Sequence, residues 1–495
     1  MKALYTIHLF LFFFLFFFNF SVEFSFSQIS SQRLHDFHYL NEAVDLADKK
    51  LTQTLQELAF DPTLHPAHTD PETGKWISHT RNEWTSGYFA GSLWYMYQLT
   101  GDEKWKDYAS MWTEDMKSTA NMSNDHDVGL RIFGSLGNGY ILTQNRQYLR
   151  AVMQGANSLA SRYNPDIKAI KSWDPWESLN ANYPVIIDNM MNLELLFLAA
   201  KYSEKEEWLN IAVEHAKTTY KHHFRENGST YHIVDFDDQG NVNRKFTIQG
   251  YGPNSVWARG QGWAIYGFTM AYRYTKRPDF LEAAIKAAEY FIANLPDDNI
   301  PWYDFLEPSI PSTTKDASAA SVAASGLMEL YSFTDQPKYF DTSVNILSSL
   351  MTHYSSQNTS DSSILLRSTI HRGDKERGTV YADYYFLEAI KRYKEITGGV
   401  FPQIETELSF YLEQNYPNPF NSQTQFYYSV EEAGEVQIDL YNLAGKKIKT
   451  LFNGRREPGT YFIQLLDGSG LASGFYIYTL RMNKKMASKK MLHIK

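Results

Sequence analysis

The 495-residue chain contains no cysteine, which excludes disulfides, thiolate metal ligands and cysteine nucleophiles and leaves the redox compartment unread. It also lacks a glycine-rich phosphate loop, and no His-x-x-x-His or His-Glu pattern falls in a helical segment, so metal and nucleotide chemistry have little to stand on. No metal and no cofactor are expected. Nor is there an excess of positive charge: 47 Lys and Arg against 56 Asp and Glu give a net charge of -9. That argues against a nucleic-acid partner and leaves any affinity for an acidic substrate to a local site. What the chain does have is apolar and aromatic residues, 43% and 16% of its length, ample for more than one buried core.

The N-terminus is a separate object. Lys2 precedes a dense apolar stretch from Leu9 to Phe18, and Ser25-Phe26-Ser27 supplies small residues at a cleavage point before Gln28. Residues 1–27 read as a secretory signal removed on export, because the apolar core is too short to span a bilayer comfortably. A retained membrane anchor is the alternative, disfavoured by Glu23 within the stretch and by the lack of any later segment long enough to span.

From Leu40 to Ile396, apolar and aromatic residues recur at helical spacing in twelve segments: 40–59, 86–99, 103–116, 128–142, 147–163, 189–202, 206–224, 258–274, 278–295, 317–333, 337–354 and 382–396. Five connections share one signature, a Thr or Ser followed five residues later by an aromatic: Thr100 and Trp105, Thr143 and Tyr148, Ser203 and Trp208, Thr275 and Phe280, Thr334 and Tyr339. Such short turns join antiparallel neighbours, and the aromatic pins the start of the second helix against the first. The remaining connections are long. Repeating hairpins whose last helix pairs with the first close a ring of six inner and six outer helices, an all-α (α/α)6 toroid over residues 28–398. An open solenoid has the same pattern. In both, the long loops enter one class of helix and gather at one end, where helix N-termini favour an anion.

After Gly398 the composition changes. A linker over 399–411 leads to residues 412–495, where Val436, Ile438 and Leu440 alternate with Gln437 and Asp439 and glycines punctuate further strand-like runs. This segment reads as a small C-terminal β-sandwich.

Residues able to carry chemistry sit at the loop-to-helix junctions. Asp125-His126-Asp127 enters the fourth helix, Ile187-Asp188-Asn189 the sixth, and Trp257-Ala258-Arg259-Gly260-Gln261-Gly262-Trp263 opens the eighth. Polar residues at the same end of alternate helices converge on one cavity. Taken singly, Asp127 and Asp188 also read as N-caps, and Asp316 and Asp383 read better that way. Trp84, Trp94, Trp173, Trp176, Trp257 and Trp263 each read more readily as core, and His232 as readily structural as catalytic.

Together these segments resemble glycoside hydrolase family 88, the unsaturated glucuronyl hydrolases, over about Trp84 to Glu388. The likeness is carried by Trp84-Thr85-Ser86-Gly87-Tyr88, His126-Asp127-Val128-Gly129, Asp188-Asn189-Met190-Met191-Asn192-Leu193, the Trp257-to-Trp263 run and Asp383-Tyr384-Tyr385-Phe386-Leu387-Glu388. It implies an (α/α)6 barrel that removes a 4,5-unsaturated uronic acid from the non-reducing end of lyase-generated oligosaccharides. It further implies Asp188 as catalytic acid and base and Asp127 as second acid. By the same match His232, Gln249 and Arg259 are sugar and carboxylate contacts, and Trp84, Trp173 and Trp263 are ring-stacking residues.

The tail, from Asn415-Tyr416-Pro417-Asn418-Pro419-Phe420 through Leu443-Ala444-Gly445-Lys446 and Ser473-Gly474-Phe475-Tyr476 to Lys490-Met491, resembles the C-terminal sorting domains of the type IX secretion system. That implies the secretion machinery as a partner and a secreted or cell-surface location. Without the likeness the tail reads as a carbohydrate-binding or adhesive sandwich.

The residue types suit the implied chemistry. A 4,5-unsaturated uronide is an enol ether, so a carboxylic acid can protonate C4 and, as its conjugate base, help water add at C5. Asp188 must then start protonated, which burial beside an Asp127 carboxylate promotes. Arg259 is expected to hold the substrate carboxylate bidentately. An unsaturated rhamnogalacturonyl hydrolase, a toroid polysaccharide lyase and a non-catalytic glycan binder are the alternatives. Export points to algal or plant polysaccharide, with ulvan as the expected parent. The stretch Leu366 to Arg372 does not reproduce the Ser and Lys pattern of members that accept sulfated glycosaminoglycans.

Overall fold

The computed structural model describes residues 33–174, 179–371, 374, 376–404, 406, 408–465 and 470–495, with side chains from residue 41 onward. The expected leader, Trp176 and Arg372 lie outside the described residues.

Among the described residues the long helices number twelve. They are α1 (Arg33–Glu57), α2 (Ser86–Thr100), α3 (Glu103–Met116), a composite α4 (Val128–Ile132, Phe133–Gly137 and Asn138–Thr143), α5 (Arg146–Ala160) and α6 (Asn189–Lys201). The second six are α7 (Glu206–His223), α8 (Ala258–Thr275), α9 (Pro278–Ala293), α10 (Ala317–Thr334), α11 (Pro337–His353) and α12 (Val380–Ile396). The middle of α4 is a π-turn, a local widening that sequence periodicity does not announce.

Burial sorts the helices into two rings. α10 buries every residue from Ala317 to Leu330, as a helix surrounded on all sides must. α9 buries only Phe280, Ala283, Ala284, Ala287, Ala288 and Phe291, the single stripe of an outer helix. The inner helices α2, α4, α6, α8, α10 and α12 each pack on the next, and α12 packs back on α2. The ring is therefore closed, and the solenoid alternative falls. The seam differs in detail from the expected pairing of last helix with first: α12 closes on α2 in the inner ring, while α11 meets α1 in the outer one.

The recurrent turn signature has one physical basis. The hydroxyls of Thr100, Thr143, Thr275 and Thr334 each donate back to the carbonyl four residues earlier, at 2.7 to 2.9 Å. Each also accepts the amide two residues on, at 3.2 to 3.4 Å. In all four the intervening residue is left-handed: Gly101, Gln144, Lys276 and Asp335. Ser203 keeps only the forward bond, to Lys205. The five aromatics Trp105, Tyr148, Trp208, Phe280 and Tyr339 are all buried.

The long loops carry small sheets. β1 (His65–Thr69) pairs with β2 (Trp76–His79), and β3 (Tyr163–Asn164) with β4 (Ala169–Ile170). β5 (Tyr183–Ile186), β6 (Ile233–Phe236) and β7 (Val242–Phe246) form a three-stranded sheet from two different loops. The pairing Ile186↔Ile233 brings the entry to α6 beside His232.

The C-terminal unit is a sandwich of two antiparallel sheets. One is ordered β11-β10-β13-β14 and the other β12-β9-β8, over β8 (Tyr411–Leu412), β9 (Thr424–Val430), β10 (Gly434–Asn442), β11 (Lys447–Arg456), β12 (Gly459–Leu465), β13 (Gly474–Met482) and β14 (Lys485–His493). It seats on the short turns of the barrel, at the end opposite the long loops. The Tyr140 hydroxyl donates to Thr460 O at 2.7 Å and accepts Thr460 N–H at 3.2 Å. Phe462 N–H donates to Tyr202 O at 2.8 Å, Tyr202 packs on Tyr461, and Arg456 pairs with Glu204 and Arg150 with Glu413.

Candidate active site at the barrel mouth

Asp127 and Asp188 occupy the N-cap positions of α4 and α6, yet neither side chain caps its helix. Asp316, by contrast, caps α10 through Ser318 N–H at 3.0 Å, and Asp102 caps α3 through Lys104 N–H. The two mouth carboxyls are thus free of the structural duty that sequence alone allowed for them. Asp383 is not a cap of its own helix either; its carboxylate accepts Ile364 and Leu365 N–H at 2.9 Å each and anchors a loop.

The starts of α4 and α6 are held together tightly. A Cβ on Gly129 would stand 2.5 Å from Asn192 Cβ, so only glycine permits the approach. Asn192 Oδ1 accepts Leu130 N–H at 2.7 Å, and its amide nitrogen meets His126 Nδ1 at 3.1 Å. That contact makes His126 Nδ1 the acceptor and leaves the proton on Nε2, which lies 3.4 Å from Asp127 Oδ1. Burial holds His126 neutral, with its pKa lowered to about 3.

Asp188 lies under His232, whose Nε2 is 3.6 Å from Asp188 Oδ2, beyond hydrogen-bonding distance. His232 is buried, its ring tilted against Trp257 with centroids 4.9 Å apart, and is likewise held neutral by burial, with its pKa lowered to about 3. Asp188 Oδ2 is sealed without a hydrogen-bond partner although a fifth of the side chain is exposed, 20%, so the other oxygen is the one open to a substrate.

Burial pushes the Asp188 carboxyl up to about 7, against the opposing charge of Arg259 and the nearby Trp263 indole N–H. Asp127 is pushed up to about 8 by burial, then by the Asp125 charge and by Asp188, with Arg131 and Asn192 opposing. Burial is the first cause of the upward shift in both acids, and Asp188 adds to it at Asp127. Both raise the pKa of the buried Tyr88 hydroxyl from α2, and Asp188 acts on Asp127, so the three groups are electrostatic neighbours.

The aromatic and polar residues divide. Trp84 and Trp173 are half-buried; Trp84 lies 5.2 Å from Tyr381, and Trp173 is stacked on His126 at 6.2 Å. Trp263 is 1% exposed and edge-on to Tyr385. It faces the barrel axis from an inner helix, so it offers Asp188 an N–H edge and not an open ring face, unlike the stacking role expected for it. Arg259 also differs from expectation. Its Nη1 donates to Asp316 Oδ2 at 3.1 Å, Ser318 Oγ at 3.1 Å and Thr369 O at 2.5 Å, and its Nη2 to Ile370 O at 2.9 Å. The fork is committed to the loop before α12, and Arg259 is a fixed positive charge beside Asp188, not an open clamp. Gln249 is half-buried on the loop after β7, with Oε1 sealed and unpartnered. The charge is positioned by Asp316 and the helix approach by Gly129 and Asn192, roles that sequence reading did not assign. The four-residue spacing of Asp188 and Asn192, one helix face, was the available signal.

Among the described residues no group of three or more His, Asp and Glu side chains could hold a metal ion, and no helix is long and apolar enough to cross a membrane.

Residues 63–322 match Glycosyl Hydrolase Family 88, and residues 414–495 match the secretion system C-terminal sorting domain. An unsaturated glucuronyl hydrolase of Formosa agariphila is 42% identical over 323 residues, 63% of this chain and 80% of that protein. The crystal structure of an unsaturated glucuronyl hydrolase specific for heparin superposes with a TM-score of 0.70 at 36% identity, covering 73% of this chain and 98% of the other. A Streptococcus agalactiae unsaturated glucuronyl hydrolase, an aspartate-to-asparagine mutant complexed with dGlcA-GalNAc6S, superposes with a TM-score of 0.62 at 25% identity, covering 72% and 91%. The closed helical ring, its paired mouth acids and these likenesses agree: the chain belongs to glycosyl hydrolase family 88 and ends in a secretion-system sorting domain.

Proposed function

We propose that the protein removes a 4,5-unsaturated glucuronic acid from the non-reducing end of oligosaccharides by hydrating the C4–C5 double bond. The observation that carries this reading is the pair of uncapping, burial-elevated carboxyls at Asp127 and Asp188. An acid that ionises near neutrality can both give and recover a proton.

Asp188 protonates C4, and positive charge develops at C5 and the ring oxygen. Water adds at C5 while the Asp188 carboxylate takes its proton. The C5 hemiketal then opens to a ketone, the ring oxygen becomes a hydroxyl on C1, and that hemiacetal collapses to an aldehyde with release of the aglycone alcohol. C1 is never attacked, so the usual link between carboxylate separation and stereochemistry does not apply. Asp127 keeps a second proton in the site, the neutral His232 orients substrate beside Asp188, Gln249 contributes a polar contact, and Trp84 and Trp173 offer faces to the sugar. The Arg259 charge and the inner-helix N-termini draw in the uronate.

The sorting domain supports export through the type IX pathway after removal of the leader, with action outside the cell or on its surface. We take ulvan fragments as the first substrate to test. Lyase products of ulvan, chondroitin, heparin, xanthan and gellan are each mixed with the full chain, and the ultraviolet absorbance of the conjugated double bond is followed. Its loss on at least one substrate, and its persistence with Asp188→Asn, is the expected result. A rise in absorbance marks a lyase, and no change with any substrate marks a binder; either overturns the reading.

A further inference from the structure

Asp127 stands at the N-cap of α4 without capping it: Gly129 N–H donates to His126 O at 3.1 Å and Leu130 N–H to Asn192 Oδ1 at 2.7 Å, and the amide of Asp127 itself is taken by Asp125. Asp125 Oδ1 accepts the Asp127 backbone N–H at 2.8 Å and the Arg131 Nη2–H at 2.8 Å, while Asp125 Oδ2 accepts from Asn124 at 3.0 Å. The backbone of Asp125 bridges to Trp173, and Arg131 is buried with Nη1 donating to Asn82 O. The Asp125 carboxylate is thus fixed on three donors, one of them the amide of the catalytic-site acid itself.

We propose that Asp125 is a positioning residue: by taking the Asp127 amide it fixes the backbone that carries the Asp127 carboxyl, and it sets a fixed negative charge beside that carboxyl. The inference rests on the hydration reading above and goes beyond it by assigning who holds the second acid in its working state.

The groups that face Asp127 are few. From α6 come Asp188 and Asn192, from α2 Tyr88, and from its own segment His126, Asp125 and Arg131. His126 is neutral through burial, and Asn192 and Tyr88 carry no charge near neutrality. The balance on Asp127 is therefore set by two carboxylates against one guanidinium, and Asp125 and Arg131 pull in opposite directions. An acceptor that only closed the turn would have no such sign. An asparagine or serine oxygen accepts the amide two residues on as aspartate does, so the charge, and not the accepting oxygen, is what Asp125 adds.

The two partners give opposite expectations. Asp125→Asn keeps the acceptor for the Asp127 amide but removes the charge and leaves Arg131 unopposed; the upper apparent pKa of the acid pair falls. Arg131→Gln removes the opposing charge and leaves Asp125 acting alone; that pKa rises. For neighbouring charges the displacement is about one pH unit. In profiles of kcat/KM against pH on the full chain, the alkaline limb is expected to move toward acid in Asp125→Asn and toward alkali in Arg131→Gln. Asp125→Asn then loses about tenfold in kcat/KM on the alkaline side and little on the acid side. Asp125→Glu, which keeps the charge, should leave the limb in place. Loss of activity by the same factor at every pH, or limbs that do not move, or that move the same way in both variants, would overturn the proposal. If one of the two variants does not fold, the other still decides by the sign of its shift. Melting temperature against pH supplies a readout independent of turnover: the pH at which the fall in melting temperature levels off should move in the same two directions. Should wild-type protein leave every unsaturated substrate untouched, the hydration reading fails, and this second readout still tells whether Asp125 holds the proton.

Discussion

Asp188→Asn should abolish turnover and at the same time make the protein more heat-stable in alkaline solution. The carboxyl is moved by burial from its ordinary 3.8 to about 7. Below pH 3.8 folded and unfolded chains both hold the proton, and the folded state carries no penalty. As pH rises toward 7, the unfolded chain releases its proton while the folded one retains it, so the native state loses stability and has lost all it will lose once the folded group ionises. At about 1.36 kcal/mol per pH unit the ceiling on this cost is roughly 4 kcal/mol. With 20% of the side chain in solvent, screening brings the expectation to about 2 kcal/mol. Asparagine has nearly the same shape and never ionises, so the variant escapes the cost. Taking about 2 °C per kcal/mol for a domain of this size, the variant should melt about 4 °C above wild type near pH 8.5 and level with it near pH 4. Thermal unfolding followed by intrinsic fluorescence at the two pH values measures the difference. A gap that is equal at both, or that narrows on the alkaline side, would refute the claim that the folded protein pays to keep this acid neutral.

Three further outcomes are expected. Gly129→Ala should cost about 2 kcal/mol in a denaturant titration, because its methyl meets Asn192 Cβ at 2.5 Å and α4 must retreat from α6; activity should fall further than stability as the two acids separate. Asp316→Asn keeps an acceptor for Ser318 but strips the buried Arg259 of its counter-ion, and should destabilise by about 3 kcal/mol in the same titration. Tyr140→Phe leaves Thr460 O and N–H without their hydroxyl partner; amide exchange over residues 459–465 should accelerate about tenfold, matching a loss near 1.4 kcal/mol, with the inner helices unaffected.

How much of this was legible before the structure depended on the range of the interaction. The helices and their pairing could be read because each rests on local chemistry. The Thr100 hydroxyl that closes the turn after α2 answers to residues 96 and 102 alone, and the stripe from Phe280 to Phe291 is complete within one helix. The placing of Asp127 and Asp188 at helix starts was local in the same way, since each is marked by its sequence neighbours. What stayed hidden was set by distant partners. Arg259 looked like an open clamp because its true partners, Thr369 and Ile370, lie 110 and 111 residues away. His232 reaches Asp188 only because β5 and β6, from separate loops, pair in the register that sets Ile186 against Ile233. Trp263 carries the same spacing whether it lines a cleft or fills an axis; only its contact with Tyr385 decides.

The seat of the C-terminal sandwich on the short turns has a consequence for orientation. The tail and the mouth that holds Asp127 and Asp188 occupy opposite poles of the ring, so whatever grips the tail holds that mouth pointed away from itself. A molecule caught by its sorting domain would present its mouth outward, unobstructed, to whatever oligosaccharides diffuse past.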